Sequence, residues 1–217
     1  ERACAQGWIS PRAMRNGIIV TVLFACLIGS ALLFYAGWEL IIVGLLCVLF
    51  AFLYTTGPYP LSYNGWGDVL VIVFFGFVPV GGTYYVQALT WTSDTTVASL
   101  ICGLLIDTLL VVNNYRDREA DARSGKRTVI VRFGEKFGRY LYLMLGVAAS
   151  LLCFWFFFEG HLFAALLPLL YLIPHVLTWR RMVQIHSGKK LNSILGETSR
   201  NMLLMGILLS IGFLIRH

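Results

Sequence analysis

Two aspartates four residues apart, Asp117 and Asp121, stand in a stretch unlike the rest of this chain, NNYRDREADARSGKRTVIVR over residues 113–132. On a helix that spacing stacks two side chains one turn apart on one face. Two carboxylates so placed repel each other unless a cation lies between them. Mg²⁺ removes the penalty, because it takes one or two protein carboxylates and fills its shell with water and phosphate oxygens. A diphosphate then needs further positive charge, and Lys126, Arg127 and Arg116 stand close by in sequence. Gly125 lets the chain turn out of the helix and bring basic groups back. Metal-assisted handling of a diphosphate is the chemistry these residues fit. A solvated connector between membrane helices would carry a similar mix of charges, and spacing alone leaves both possibilities open.

The elements that must position these residues are membrane helices. Of 217 residues 58% are hydrophobic and 13% charged, with a mean hydropathy of +0.76. A soluble domain is about half apolar and a quarter charged. The composition excludes disorder, a disulfide scaffold and a soluble nucleic-acid binder. The five cysteines are scattered without a CxxC and read as small membrane hydrophobes. A spanning helix needs about 20 apolar residues. Seven stretches qualify: residues 17–35, 40–56, 69–88, 97–112, 140–158, 162–178 and 202–215. The predicted fold is all-α, a polytopic transmembrane bundle, with residues 1–217 as a single domain. Pro79 should kink or break the third span, and Pro168 and Pro174 should bend the sixth.

Threading the seven spans in alternation puts every Lys and Arg except Arg216 on one side. The positive-inside rule makes that side cytoplasmic. The net charge of +6 therefore calls for lipid head groups and cytosolic anions as partners, not nucleic acid. If the fourth helix runs on past the membrane surface, Asp107, Asn114, Asp117 and Asp121 return to one face. Asp107 lies mid-span, where a carboxylate costs about 2.5–3.5 kcal/mol. It either supports the metal site from beneath or pairs with a polar neighbour such as Thr108.

A second polar segment, YTTGPYPLSYNGWGD over residues 54–68, has no Lys or Arg. It suits an ordered lid over an aromatic or isoprenoid substrate, with Tyr54 and Asp68 facing the charged stretch. Tyrosines at membrane interfaces and an aspartate capping a helix are the plainer alternatives. Gln87 and His175 read as structural polar contacts, His175 as a helix–helix hydrogen-bonder.

Residues 113–134 resemble the second Asp-rich motif of the UbiA superfamily of intramembrane aromatic prenyltransferases, nearest its 1,4-dihydroxy-2-naphthoate branch. Residues 54–68, with VIVFFGF after them, resemble that family's conserved loop and following helix, and QGWISP over residues 6–11 resembles the start of its third helix. The resemblance implies an integral protein of the bacterial inner membrane with its charged loops cytoplasmic. It implies transfer of a prenyl group from a polyprenyl diphosphate to dihydroxynaphthoate, with loss of diphosphate and CO₂, giving demethylmenaquinone. By that likeness Asp117 and Asp121 bind Mg²⁺, and Asn113, Asn114, Arg116, Lys126 and Arg127 serve the diphosphate. Tyr54 would line the substrate cavity, and Asp68 would act as a base or orienting group. The family has nine spanning helices and a first motif of the type N-x-x-x-D-x-x-x-D. The seven spans here look like helices three to nine, so the expectation is a chain lacking the first two helices and that motif, and inactive without a second acid pair. Sister branches acting on hydroxybenzoate, a chlorin or haem are the enzymatic alternatives. A transporter would require charges along several spans, and Asp107 is the only clear central acid.

Overall fold

The computed structural model describes all residues except 1–3, 5, 216 and 217. Arg216, the one basic residue assigned to the second side, lies outside the described residues, as does Arg2. Six helices among the described residues are long and apolar enough to cross a membrane, and a shorter apolar helix makes a seventh. They are α1 (Pro11–Ala36), α2 (Glu39–Thr55, the shorter one), α3 (Gly67–Ala88), α4 (Ser93–Arg123), α5 (Val129–Phe158), α6 (Leu162–Ile185) and α7 (Lys189–Leu214).

The chain divides into two compact units, Glu1–Phe52 and Leu53–His217. In the first, α1 starts earlier than residue 17 because Ser10 caps it. The Ser10 Oγ accepts the Ala13 N–H at 3.2 Å, and Pro11 occupies the first turn. No residue of Pro11–Ala31 is buried, as suits a helix facing lipid. The 17 residues of α2 fall at the lower limit for a spanning helix.

In the second unit Pro79 does not break α3. Ile72–Gly81 is wound as a π-helix with Pro79 inside it. The wider winding moves the hydrogen-bond ladder around the missing proline N–H. In α6 a 3₁₀ turn, Leu167–Tyr171, absorbs Pro168, and Pro174 falls in the first turn of the α-helix that follows.

α3 and α4 pack in contact along antiparallel paths. A Cβ on Gly67 would lie 3.3 Å from Leu110 Cδ2, one on Gly103 would lie 2.9 Å from the Ile72 carbonyl oxygen, and one on Gly76 would lie 2.5 Å from that of Ser99. At 31 residues, α4 is roughly 46 Å long against a hydrocarbon core of about 30 Å. Part of it must therefore lie outside the apolar layer, and its charged residues, both aspartates among them, are gathered at the C-terminal end.

α7 begins at Lys189 rather than at residue 202. Its polar early turns read as a loop in sequence, yet they fold as helix because Ile194, Thr198 and Asn201 are buried on one side. Asn201 donates to the Thr178 hydroxyl at 2.9 Å, and the Tyr142 and Thr198 hydroxyls meet at 2.9 Å. His175 bridges helices as its sequence setting suggests: Nδ1 meets the Tyr171 hydroxyl at 2.9 Å and Nε2 the Leu143 carbonyl at 3.2 Å. Beneath the projecting end of α4, Val111, Val112, Tyr115, Ile130, Tyr142 and Ile194 form a buried cluster that holds that end rigid.

Candidate active site

The projecting end of α4 carries Asp117 and Asp121 on successive turns. Thr128 caps the next helix, its Oγ1 accepting the Val131 N–H, and Gly125 turns the chain between the two with φ +78°. That turn sends the Lys126 N–H back to the Asp121 carbonyl at 3.0 Å and its Nζ to the Asp121 carboxylate at 2.9 Å. Arg116 forks Asp117, both nitrogen–oxygen distances being 2.7 Å. Its remaining nitrogen donates to Asn192 Oδ1 at 2.8 Å, which anchors the fork to α7. Lys126 also acts on Asp117, and Asp121 on Arg116, so the four charges form one cluster. The Asp121 side chain is 11% exposed and that of Asp117 46%. The sequence assigned Arg116 and Lys126 to a diphosphate, whereas here they neutralise the acids. Two carboxylates a turn apart need a counter-charge, and these are the nearest.

The tyrosine- and glycine-rich segment docks on this cluster. The Tyr63 carbonyl accepts the Arg127 N–H at 2.7 Å, and the Asn64 carbonyl accepts from Arg132 Nη2 at 2.8 Å. Lys126 Nζ stands 5.3 Å from the centre of the Tyr63 ring, a cation–π distance. Gly65, at φ +84°, passes so close that a Cβ would meet the Arg127 carbonyl at 3.0 Å. Within the segment, Ser62 donates to the Tyr54 carbonyl at 2.6 Å and the Asn64 amide to that of Pro60 at 2.8 Å.

Beneath the rim lie two more carboxyls. Asp107 is 1% exposed, and its Oδ1 has no hydrogen-bond partner among the described residues. The Thr108 hydroxyl, one partner considered for it, donates instead to the Leu105 carbonyl at 2.5 Å. Asp68 sits in the first turn of α3, and its buried Oδ1 is likewise without a partner. The antiparallel register of Gly67 against Leu110 and Ile72 against Gly103 sets Asp68 opposite Asp107. The two carboxyls are close enough for their charges to interact, and both act on Tyr54. The Tyr54 hydroxyl lies 3.5 Å from where a Gly67 Cβ would stand.

The profile of the UbiA prenyltransferase family matches residues 1–210. The chain belongs to that family. Three similar proteins are each named 1,4-dihydroxy-2-naphthoate octaprenyltransferase. The one from Haemophilus influenzae is 36% identical over 99% of this chain and 72% of its own length. That from Escherichia coli is 37% identical over 70% of this chain and 51% of its own length. That from Mycobacterium leprae is 39% identical over 65% of this chain and 48% of its own length. This chain thus spans between about half and 72% of the length of these three relatives. No solved structure matches it significantly.

For a UbiA-family chain the sequence-picked residues fall in three places. Asp117, Asp121, Arg116 and Lys126 form the rim cluster. Arg127 borders it with an exposed side chain and a docked main chain. Asn113 and Asn114 are half-buried one turn before Asp117. Tyr54 and Asp68 lie with Asp107 one level down. Gln87 bonds the Thr83 carbonyl within its own helix, a structural contact. Among the described residues no group of three or more His, Cys, Asp and Glu side chains could hold a metal. Two carboxylates with carboxamides nearby match Mg²⁺ that draws its other ligands from phosphate and water.

Sequence reasoning missed Asn192, which fixes Arg116, and Tyr63, which holds Lys126 and Arg127. Asn192 is distant in sequence and carried no signal. Tyr63 lay inside the segment already singled out. A further ionic knot was also unread: Glu135 bridges Arg118, Arg139 and His186 at 3.0–3.2 Å and braces the base of the rim.

Proposed function

We propose that this protein transfers a polyprenyl group from polyprenyl diphosphate to 1,4-dihydroxy-2-naphthoate, releasing diphosphate and CO₂, in menaquinone biosynthesis. The names of its relatives support the substrates. The observation that carries the chemistry is the rim cluster: Asp117 and Asp121 a turn apart, with Arg116 and Lys126 already against them. The rim faces the cytoplasm of a bacterial inner membrane, where most of the basic residues also lie.

Asp117 and Asp121 would hold Mg²⁺, with Asn113 and Asn114 supporting its shell. Bound there, the ion supplies charge neutralisation for the departing diphosphate. Arg116 and Lys126 exchange their carboxylate partners for diphosphate oxygens, and Arg127 adds charge from the rim. Arg116 keeps its direction through Asn192, and Lys126 through the Tyr63 ring. The docked segment of Tyr63 and Asn64 covers the cluster and excludes water from the allylic cation that forms as the C–O bond breaks. Tyr54 presents an electron-rich ring below the rim. Asp68 orients the aromatic acceptor. The prenyl tail lies among apolar helices in contact with lipid.

The test is a prenyl-transfer assay on the full gene product in lipid nanodiscs, with octaprenyl diphosphate, dihydroxynaphthoate and titrated Mg²⁺. The expected result is a prenylated, decarboxylated product that forms only with divalent metal. Product formation undiminished by chelator would overturn the metal assignment. Prenylation of 4-hydroxybenzoate in place of dihydroxynaphthoate would overturn the acceptor.

A further inference from the structure

We infer that Asp107, opposed by Asp68 and flanked by Tyr54, forms the hydroxyl-binding subsite of the aromatic acceptor and holds its hydroxyl proton during transfer. This rests on the prenyl transfer proposed above and assigns a new residue to it.

A carboxyl this deep in an apolar helix pair is costly unless something satisfies it. Asp107 is 1% exposed, yet its Oδ1 is bonded by nothing among the described residues, and the Oδ1 of Asp68 opposite is also orphaned. Two such orphans facing each other on packed helices are not a structural ion pair, since neither has a cation. Thr108, the nearest hydroxyl in sequence, is turned to its own helix. An ionised carboxylate oxygen is an acceptor, so what the charged member of the pair lacks is a donor. A phenolic hydroxyl is such a donor, and the acceptor ring carries two.

The depth also fits. Ten residues of helix separate Asp107 from Asp117, roughly 15 Å at 1.5 Å each. A bicyclic acceptor and the first carbon of a prenyl diphosphate occupy about that span. The Tyr54 hydroxyl lies beside Gly67, between the levels of Asp107 and Asp117, and we set it against the ring.

The step balances without an outside reagent. The Asp107–Asp68 pair starts with one proton and one negative charge, because two close carboxyls do not both ionise in apolar surroundings. The hydroxyl next to the acceptor's carboxylate gives its proton to the ionised member, and the pair becomes neutral. The oxygen's electrons push into the ring, and the carbon bearing the carboxylate forms a bond to C1 of the prenyl group. The C1–O bond breaks, and its electron pair leaves with the diphosphate. The ring is now a β-keto carboxylate. It loses CO₂, and the bond's electrons return to the ring as an enolate. The enolate oxygen recovers the proton from the pair. No proton is gained or lost overall.

The test measures binding in nanodiscs without prenyl diphosphate, by titration calorimetry, using dihydroxynaphthoate and 2-naphthoate, which lacks both hydroxyls. Wild-type protein should prefer dihydroxynaphthoate by about tenfold or more. Asp107→Asn should lose that preference while binding 2-naphthoate as the wild type does, and Asp68→Asn should show the same pattern. An equal loss for both ligands in each variant means a structural role and overturns the inference, as does a preference retained by both. If the preference behaves as expected but the full wild-type protein forms no prenylated naphthoate, the transfer reaction falls and the hydroxyl subsite stands.

Discussion

The Arg127 main-chain N–H donates to the Tyr63 carbonyl at 2.7 Å, and the side chain of Lys126, one residue earlier, lies over the Tyr63 ring. One residue thus receives both the backbone and the charge of the turn that follows α4. The two polar segments that sequence picked out separately are parts of one site because of it. Whatever loosens residues 56–66 should also release Lys126 from its position beside Asp121.

Gly65 is the place to test that coupling. At φ +84° a side chain costs about 1–2 kcal/mol in backbone strain alone. Its Cβ would also stand 3.0 Å from the Arg127 carbonyl, a main-chain atom that cannot swing away. Gly65→Ala should undock the segment while leaving the helices folded. We expect faster amide hydrogen exchange confined to residues 56–66 and 124–132, and prenyl transfer reduced about tenfold. Unchanged exchange there would show that the contact does not hold the segment.

Asp117→Ala and Asp121→Ala should each lower turnover by at least about a hundredfold, as expected for groups that hold a catalytic metal. The two should differ in stability. Asp121 is more enclosed and neutralises Lys126, so its removal leaves a cation without its partner on a tight turn. Asp117 is more open, and Arg116 keeps Asn192 when the carboxylate goes. Thermal melts in detergent should therefore show a larger loss for Asp121→Ala. Equal turnover to wild type in both variants would remove them from the reaction.

Asn192 gives a finer test of how the fork is aimed. Asn192→Ala removes the hydrogen bond that ties Arg116 to α7. Without it Arg116 retains its charge and loses its direction. The KM for prenyl diphosphate should rise about threefold to tenfold with little change in the KM for dihydroxynaphthoate. Steady-state kinetics with each substrate varied in turn would reveal the split, and a rise in both values would point to a general loss of structure.

The helices were legible in sequence because an apolar run of sufficient length has few other solutions. Their ends were less so. The aspartate spacing allows for a run of α4 past the membrane surface, which reaches Arg123, but the reach of α7 back to Lys189 was not legible: those polar residues are helical because neighbouring helices bury one face. Pro79 did not break its helix: a proline predicts a lost hydrogen bond, and the π-helical winding around it, in the stretch where Gly76 packs on Gly103, shows in the structure and not in the sequence. The spacing of Asp117 and Asp121 was readable because it is local. The opposition of Asp68 and Asp107 was hidden, since it needs the register of two helices.

That helix register makes its own prediction. Gly103→Ala would place a methyl within 3.0 Å of Ile72 backbone atoms, and no side-chain rotation relieves it. The helices must separate, at a cost of about 1–3 kcal/mol. Separation shifts Asp68 away from Asp107 while leaving the rim acids on their own helix. The variant should melt lower and bind dihydroxynaphthoate more weakly, with Mg²⁺ dependence retained. A normal melt would mean that the packing is looser than these distances imply.

Asp107 itself should trade stability against activity. A buried polar atom with no partner costs about 1–3 kcal/mol, and that cost persists only where something is gained by it. Asp107→Leu replaces the carboxyl with an apolar group of comparable length at a buried position of an apolar helix. The thermal midpoint should rise by at least about 2 °C for a chain of this size, while transfer to dihydroxynaphthoate collapses. A structural carboxyl would behave in the opposite way, since removing it would strip a partner from another buried group and lower the midpoint. Differential scanning fluorimetry on the two proteins separates these cases, and a midpoint lowered by several degrees would place Asp107 in the packing and not in the chemistry.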